Sequence, residues 1–170
     1  MNIRNLFASA AVLGVVAISM SASQAQTLLD PTLKLEKLVD SGIPIATSLV
    51  FINSTDYIVS TKGDGTIRLF ATGAAAVNLT FDIPASTWTS VPAGNYPNLP
   101  VNSISERGIL CVQLHPDFAT NKYVYTYATE SSTGANVKQA GTTATATELT
   151  SVAPLGNRVD RWVYDAANKK

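Results

Sequence analysis

The chain has 170 residues, with 12 Lys and Arg against 12 Asp and Glu, so no field of one sign exists to attract nucleic acid or an anionic membrane. It contains one cysteine, Cys111, and one histidine, His115, which excludes an internal disulfide and a multi-histidine metal site. Stability must therefore come from packing.

Residues 1–25 read as a signal peptide. Arg4 gives a short cationic start, residues 6–18 are apolar or small apart from Ser9, and Ser23-Gln24-Ala25 supplies small residues where a signal peptidase reads. The apolar run falls short of the roughly 20 residues needed to span a bilayer. Cleavage after Ala25 is expected, with a retained anchor as the alternative. Residues 26–170 would then be exported, to a periplasm or the exterior, with no membrane association after cleavage.

Leu33, Leu35, Leu38 and Val39 form a first apolar series that suits strand or helix, ended by turn residues at 40–44. Three strands are expected at 45–52, 57–61 and 66–70, all rich in β-branched or aromatic residues. Asn53-Ser54-Thr55-Asp56 separates the first two, and Lys62-Gly63-Asp64-Gly65 joins the second to the third as a hairpin, where glycine accepts positive φ. Asp64 is a single carboxylate, too few oxygens for Ca²⁺ by itself. Ala75, Val77, Leu79, Phe81 and Ile83 alternate cleanly and predict a fourth strand. Residues 85–103, with Pro92, Pro97 and Pro100, predict a long loop in which Trp88 and Tyr96 either pack or line a site.

The segment at 105–127 is the densest. Leu110, Val112 and Leu114 alternate with Ile109, Cys111 and Gln113, predicting a strand buried on both faces with Cys111 as a small packed residue. His115-Pro116-Asp117 and Asn121 predict a reversal, so His115 reads as a turn residue bonding to backbone, with general base as the competing role. Tyr123, Tyr125 and Tyr127 then share one face of a second strand, to be packed between sheets or offered as a carbohydrate platform. Residues 130–154 are rich in Thr, Ala, Ser and Gly and predict a flexible, exposed loop; strand pattern returns at 157–164.

Glu106-Arg107-Gly108-Ile109-Leu110, followed by His115-Pro116-Asp117-Phe118-Ala119-Thr120-Asn121-Lys122-Tyr123-Val124-Tyr125, resembles the corresponding segment of the glucose/sorbosone dehydrogenase family. Residues 45–70 resemble the opening sheet of the same family, in the expected order before Glu106. The resemblance implies an all-β fold of antiparallel four-stranded sheets, with residues 26–170 forming the first one to two blades of a six-bladed β-propeller. It implies an exported PQQ-dependent sugar or aldose dehydrogenase, with PQQ and Ca²⁺ as cofactors of the intact protein. The family's histidine base and its PQQ-holding basic residues come from later motifs that this chain lacks. No catalytic, cofactor or metal residue carries over, neither cofactor is expected to bind the chain alone, and the remaining blades are its expected partners. One position does carry over. Where glucose-oxidising members place a sugar-contacting Gln, this chain has Glu106, whose carboxylate accepts from sugar hydroxyls but lacks the amide's donor. A solvated or Arg-paired loop acid is the plainer reading of Glu106. The competing reading of the chain is a non-catalytic secreted β module that binds carbohydrate or protein.

Overall fold

The computed structural model describes residues 32, 39, 43 and 45–170 apart from 72, 73, 86 and 139–143. The expected signal peptide at 1–25, the apolar series at 33–38 and part of the expected loop at 130–154 lie outside these described residues. From Val39 onward the chain is one unit, Val39–Lys170.

The β-branched and aromatic segments form an antiparallel meander in chain order: β1 (Ala46–Phe51), β2 (Tyr57–Thr61), β3 (Ile67–Phe70) and β4 (Val77–Asn78). Every residue of β2 is buried, as befits a strand with neighbours on both edges and packing on both faces. Asn53 makes the first turn, its side-chain oxygen accepting the N–H groups of Thr55 and Asp56 at 2.8 Å each. Gly65 makes the second with φ +63°, and a Cβ there would lie 2.1 Å from the Leu99 carbonyl oxygen. Only glycine fits both the turn and that close approach.

The expected strand over residues 75–83 is two strands. Leu79, Phe81 and Ile83 are buried as the alternation requires, but the chain changes partners between them. Leu79 still donates its N–H to the Ile67 carbonyl at 2.8 Å, whereas Thr80 donates to that of Lys169 at 2.9 Å. Beyond the switch, β5 (Phe81–Ile83) pairs with β6 (Gly94–Tyr96). The predicted loop at 85–103 therefore contains a strand, and much of the rest is core: Trp88 is 2% exposed, and Leu99 and Val101 are fully buried. Its backbone is tied to both large sheets, through Leu99 N–H to Gly65 and Asn102 N–H to the carbonyl of Thr129. Trp88 packs, and Tyr96 closes its own turn on the Pro92 carbonyl at 2.9 Å.

The second large sheet has the order β7 (Ile109–Leu114), β8 (Tyr123–Ser131) and β9 (Pro154–Val163). The first of these strands is not buried on both faces. A bulge between Ile109 and Cys111 shifts the alternation, so Ile109 and Val112 are fully buried while Cys111 is half-buried and Gln113 exposed. The reversal at 115–122 includes a single helical turn, α1 (Phe118–Asn121), closed by Lys122 in the left-handed conformation at φ +58°. Glu130 and Ser131, at the start of the expected flexible loop, end β8 and are buried; α2 (Ala146–Ser151) stands later in it. A capping box starts α2, Thr145 accepting from the Glu148 N–H and Glu148 from that of Thr145.

β1 and β7, the first strand of each large sheet, lie side by side. Thr47 donates its hydroxyl to the Ile109 carbonyl at 2.8 Å, and Ser48 donates to that of Val112 at 3.0 Å. One core, including Ile58, Leu69, Phe81, Trp88, Val112 and Val124, fills the space between the sheets. The chain is thus all-β in successive antiparallel sheets, the layout of part of a β-propeller.

Candidate functional site

The turn that carries Glu106 is held by its backbone. Ser105 takes φ +57° and Gly108 φ +125°, and a Cβ on Gly108 would sit 2.3 Å from the Lys62 carbonyl oxygen. Gly108 also accepts the Thr129 N–H at 3.0 Å, which fixes the turn against β8. Glu106 therefore projects from a fixed base. Its side chain is 97% exposed, and its nearest cation among the described residues is the Lys62 ammonium at 3.9 Å. Such an exposed pair contributes little to stability, so the carboxylate keeps its acceptor capacity.

Ser105, Glu106 and Arg107 line an open groove of about 400 Å³ with Tyr127, Thr129 and Asn157. Arg107 Nη1 is buried and has no hydrogen-bond partner among the described residues. The exposed Glu106 carboxylate can accept from a hydroxylated ligand in the groove. It holds one acidic residue, and no group of three or more His, Cys, Asp or Glu among the described residues could hold a metal ion. One carboxylate falls short of a Ca²⁺ site, which takes six to eight oxygens.

A larger cavity, about 500 Å³, lies toward the other end of β8 and β9, lined by Phe81, Trp88, Val124, Trp162 and Tyr164 with Asp82 and Asp160 among them. It shares no lining residue with the Glu106 groove.

The other singled-out residues stand elsewhere. His115 accepts the Asp117 N–H on Nδ1 at 3.0 Å, which places its proton on Nε2, and its ring lies edge-on to Tyr123. It serves the turn. Asp64 is engaged by Lys138 and lies 3.9 Å from Arg68. Tyr123, Tyr125 and Tyr127 are half-buried on the outer face of their sheet, beside exposed Val159, Arg161 and Val163, with the Arg161 guanidinium 4.5 Å over the Tyr123 ring.

The most developed polar cluster was not expected. Glu130, 5% exposed, accepts the Ser90 N–H at 2.9 Å and the Ser90 hydroxyl at 3.1 Å on one oxygen, and Arg158 Nη1 at 2.6 Å on the other. Arg158 also grips Asp160 with Nε and Nη2 at 2.8 and 2.7 Å and lies 4.2 Å over the Trp88 ring. Burial alone would raise the Glu130 carboxyl, but the donors from Ser90 and Arg158 outweigh it and hold the group below its usual value. Burial would likewise lower the Arg158 guanidinium, and the bonds to Asp160 and Glu130 drive it upward instead. The cluster pins the loop of Trp88 and Ser90 to the second sheet.

Comparison with solved structures gives a consistent class of neighbour. The chain is similar to the PQQ-bound form of an aldose sugar dehydrogenase from Streptomyces coelicolor, at 21% identity and a TM-score of 0.48, over 79% of this chain and 29% of that one. It is similar to a glucose dehydrogenase at 18% identity and a TM-score of 0.46, over 76% of this chain and 28% of that one. The structural neighbours are sugar dehydrogenases. The chain spans less than a third of the length of either. No protein-family model matches it, and no curated protein does.

Proposed function

We propose that this chain is the N-terminal portion of an exported quinoprotein sugar dehydrogenase of the glucose/sorbosone type, forming the first sheets of a six-bladed propeller and contributing Glu106 to sugar binding. The observation that carries the reading is the Glu106 turn. Of the residues that resemble the family, Glu106 to Gly108 form a backbone-fixed turn with an open carboxylate at a groove, and Ile109 and Leu110 begin the strand β7 that follows. A sugar hydroxyl would donate to the Glu106 carboxylate, and a sugar oxygen would accept from Arg107. PQQ, when bound by the complete protein, supplies the electron chemistry. The groove of this chain offers no set of residues for it, so the chain's own part is binding and orientation.

Two measurements test the reading. Titration of the purified chain with aldoses, followed by amide NMR, should shift resonances at residues 105–108 and at Tyr127 and Asn157, and Glu106→Ala should remove those shifts without altering the melting temperature. Aldose-dependent dye reduction with added PQQ and Ca²⁺ should be absent from this chain alone. Shifts that persist in Glu106→Ala, or turnover by the isolated chain, would overturn the assignment.

A further inference from the structure

One part of the Glu106 groove comes from the segment where a flexible loop was expected. Leu149 of α2 lines the groove with Leu110 and Tyr127, in company with the polar Glu106, Thr129 and Asn157. Leu149 is 39% exposed and no residue of α2 is buried, so this leucine does not anchor the helix in the core. Other contacts set the place of α2. The capping box forms its first turn, and the Leu149 N–H donates to the Thr145 carbonyl at 3.1 Å. Just past its end, the fully buried Asn102 donates Nδ2 to the Val152 carbonyl at 3.0 Å, and Ser132 donates its hydroxyl to that of Ala153 at 2.9 Å. The chain then enters β9 at Pro154, paired with Ser131 and itself part of the groove lining. Leu149 therefore stands on a backbone that is tied to the second sheet without its help.

An apolar side chain held in a partly polar groove, with no packing duty, suits a ligand that is itself two-sided. A pyranose carries hydroxyls around its rim and C–H groups on the faces of its ring. The Glu106 carboxylate accepts from the rim. Leu149 has no polar atom, so a hydroxyl set against it loses water and gains no partner, whereas a C–H face set against it buries apolar surface at no such cost. We infer that Leu149 is a specificity-determining residue of this groove: it takes the C–H face of the aldose ring while Glu106 takes a hydroxyl, and the two together fix which way the sugar lies. The inference rests on the sugar-binding reading of Glu106 and adds the face of the sugar that is read. It also gives α2 a use that its lack of buried residues leaves unexplained.

Methyl and amide NMR of the purified chain, titrated with D-glucose, separates this inference from the reading beneath it. The Leu149 methyl resonances should shift along the same saturation curve as the amides of residues 105–108, and should show NOEs to C–H protons of the sugar. Leu149→Ala keeps a strong helix former at an exposed position, so its melting temperature should match wild type, while glucose binding weakens about three- to tenfold. Leu149→Met, which restores apolar bulk in another shape, should recover most of that affinity. Four results would overturn the inference and leave the Glu106 assignment standing: shifts at 105–108 with none at Leu149, wild-type affinity in Leu149→Ala, weaker binding accompanied by a lower melting temperature, or a Leu149→Met as weak as Leu149→Ala. Absence of any shift at 105–108 would overturn the Glu106 assignment, and this inference with it.

Discussion

Removing the Glu130 carboxylate is the most demanding test of how the loop of Trp88 and Ser90 is held to the second sheet. Glu130→Ala deletes three bonds at once, from the Ser90 N–H, the Ser90 hydroxyl and Arg158 Nη1. Breaking a buried ion pair costs about 3–5 kcal/mol when the surviving charge is abandoned. Arg158 is not abandoned here, because its two bonds to Asp160 remain, so the loss should lie at the lower end, about 3 kcal/mol. For a domain of this size that corresponds to a fall in melting temperature of about 10 °C at neutral pH. The pH dependence has a fixed sign. The native carboxyl lies below its ordinary value of 4.5, so its contribution is complete above that value and is lost as pH falls through the native one. Thermal melts followed by circular dichroism should therefore show the gap between wild type and Glu130→Ala closing in acid. A gap under about 2 °C at neutral pH, or one that stays constant down to about pH 3, would refute the account.

Gly65→Ala should be strongly destabilising, beyond the roughly 1–2 kcal/mol of a left-handed residue, because the new Cβ meets the Leu99 backbone 2.1 Å away; Gly63→Ala, whose nearest neighbour would be the Ser103 hydroxyl at 3.7 Å, should melt like wild type. Trp162→Phe removes the bond from Nε1 to the buried Thr126 hydroxyl at 2.9 Å and should cost about 1–3 kcal/mol in denaturant unfolding. Adding Thr126→Val should recover part of that loss, since both polar partners are then gone. A double variant less stable than Trp162→Phe would show that packing, not the hydrogen bond, dominates at this position.

Legibility in the sequence followed the distance between partners along the chain. The hairpin at 62–65 and the reversal at 115–122 were readable because Gly65 and Asn121 act on residues within the same turn. The capping box of Thr145 and Glu148 is equally local, but the Thr-rich composition around it pointed to a loop, and the helix it starts was not expected. Trp88 and Ser90 were not readable, because their partners Arg158 and Glu130 stand far along the chain, on β9 and β8, and no periodicity at 85–103 records them. The split of the strand at 75–83 was hidden for a related reason. Alternation reports which face is buried, and that was right for Leu79, Phe81 and Ile83, but it does not say which strand lies alongside.

Glu106 and Glu130 show why residue type alone does not say how committed a carboxylate is. Both are glutamates near an arginine, one just before the sheet and one within β8, yet their oxygens are differently committed. Those of Glu130 accept three bonds from Ser90 and Arg158 and are enclosed, so a ligand would have to displace bonds that hold the loop. Among the described residues Glu106 has only a loose contact at 3.9 Å with Lys62, on a turn held by Gly108 and Thr129 rather than by its own side chain. A group that meets a ligand needs a fixed base and open valences. Glu106 has both, Glu130 only the first, and the difference lies in the backbone at Ser105 and Gly108 and not in the acids themselves.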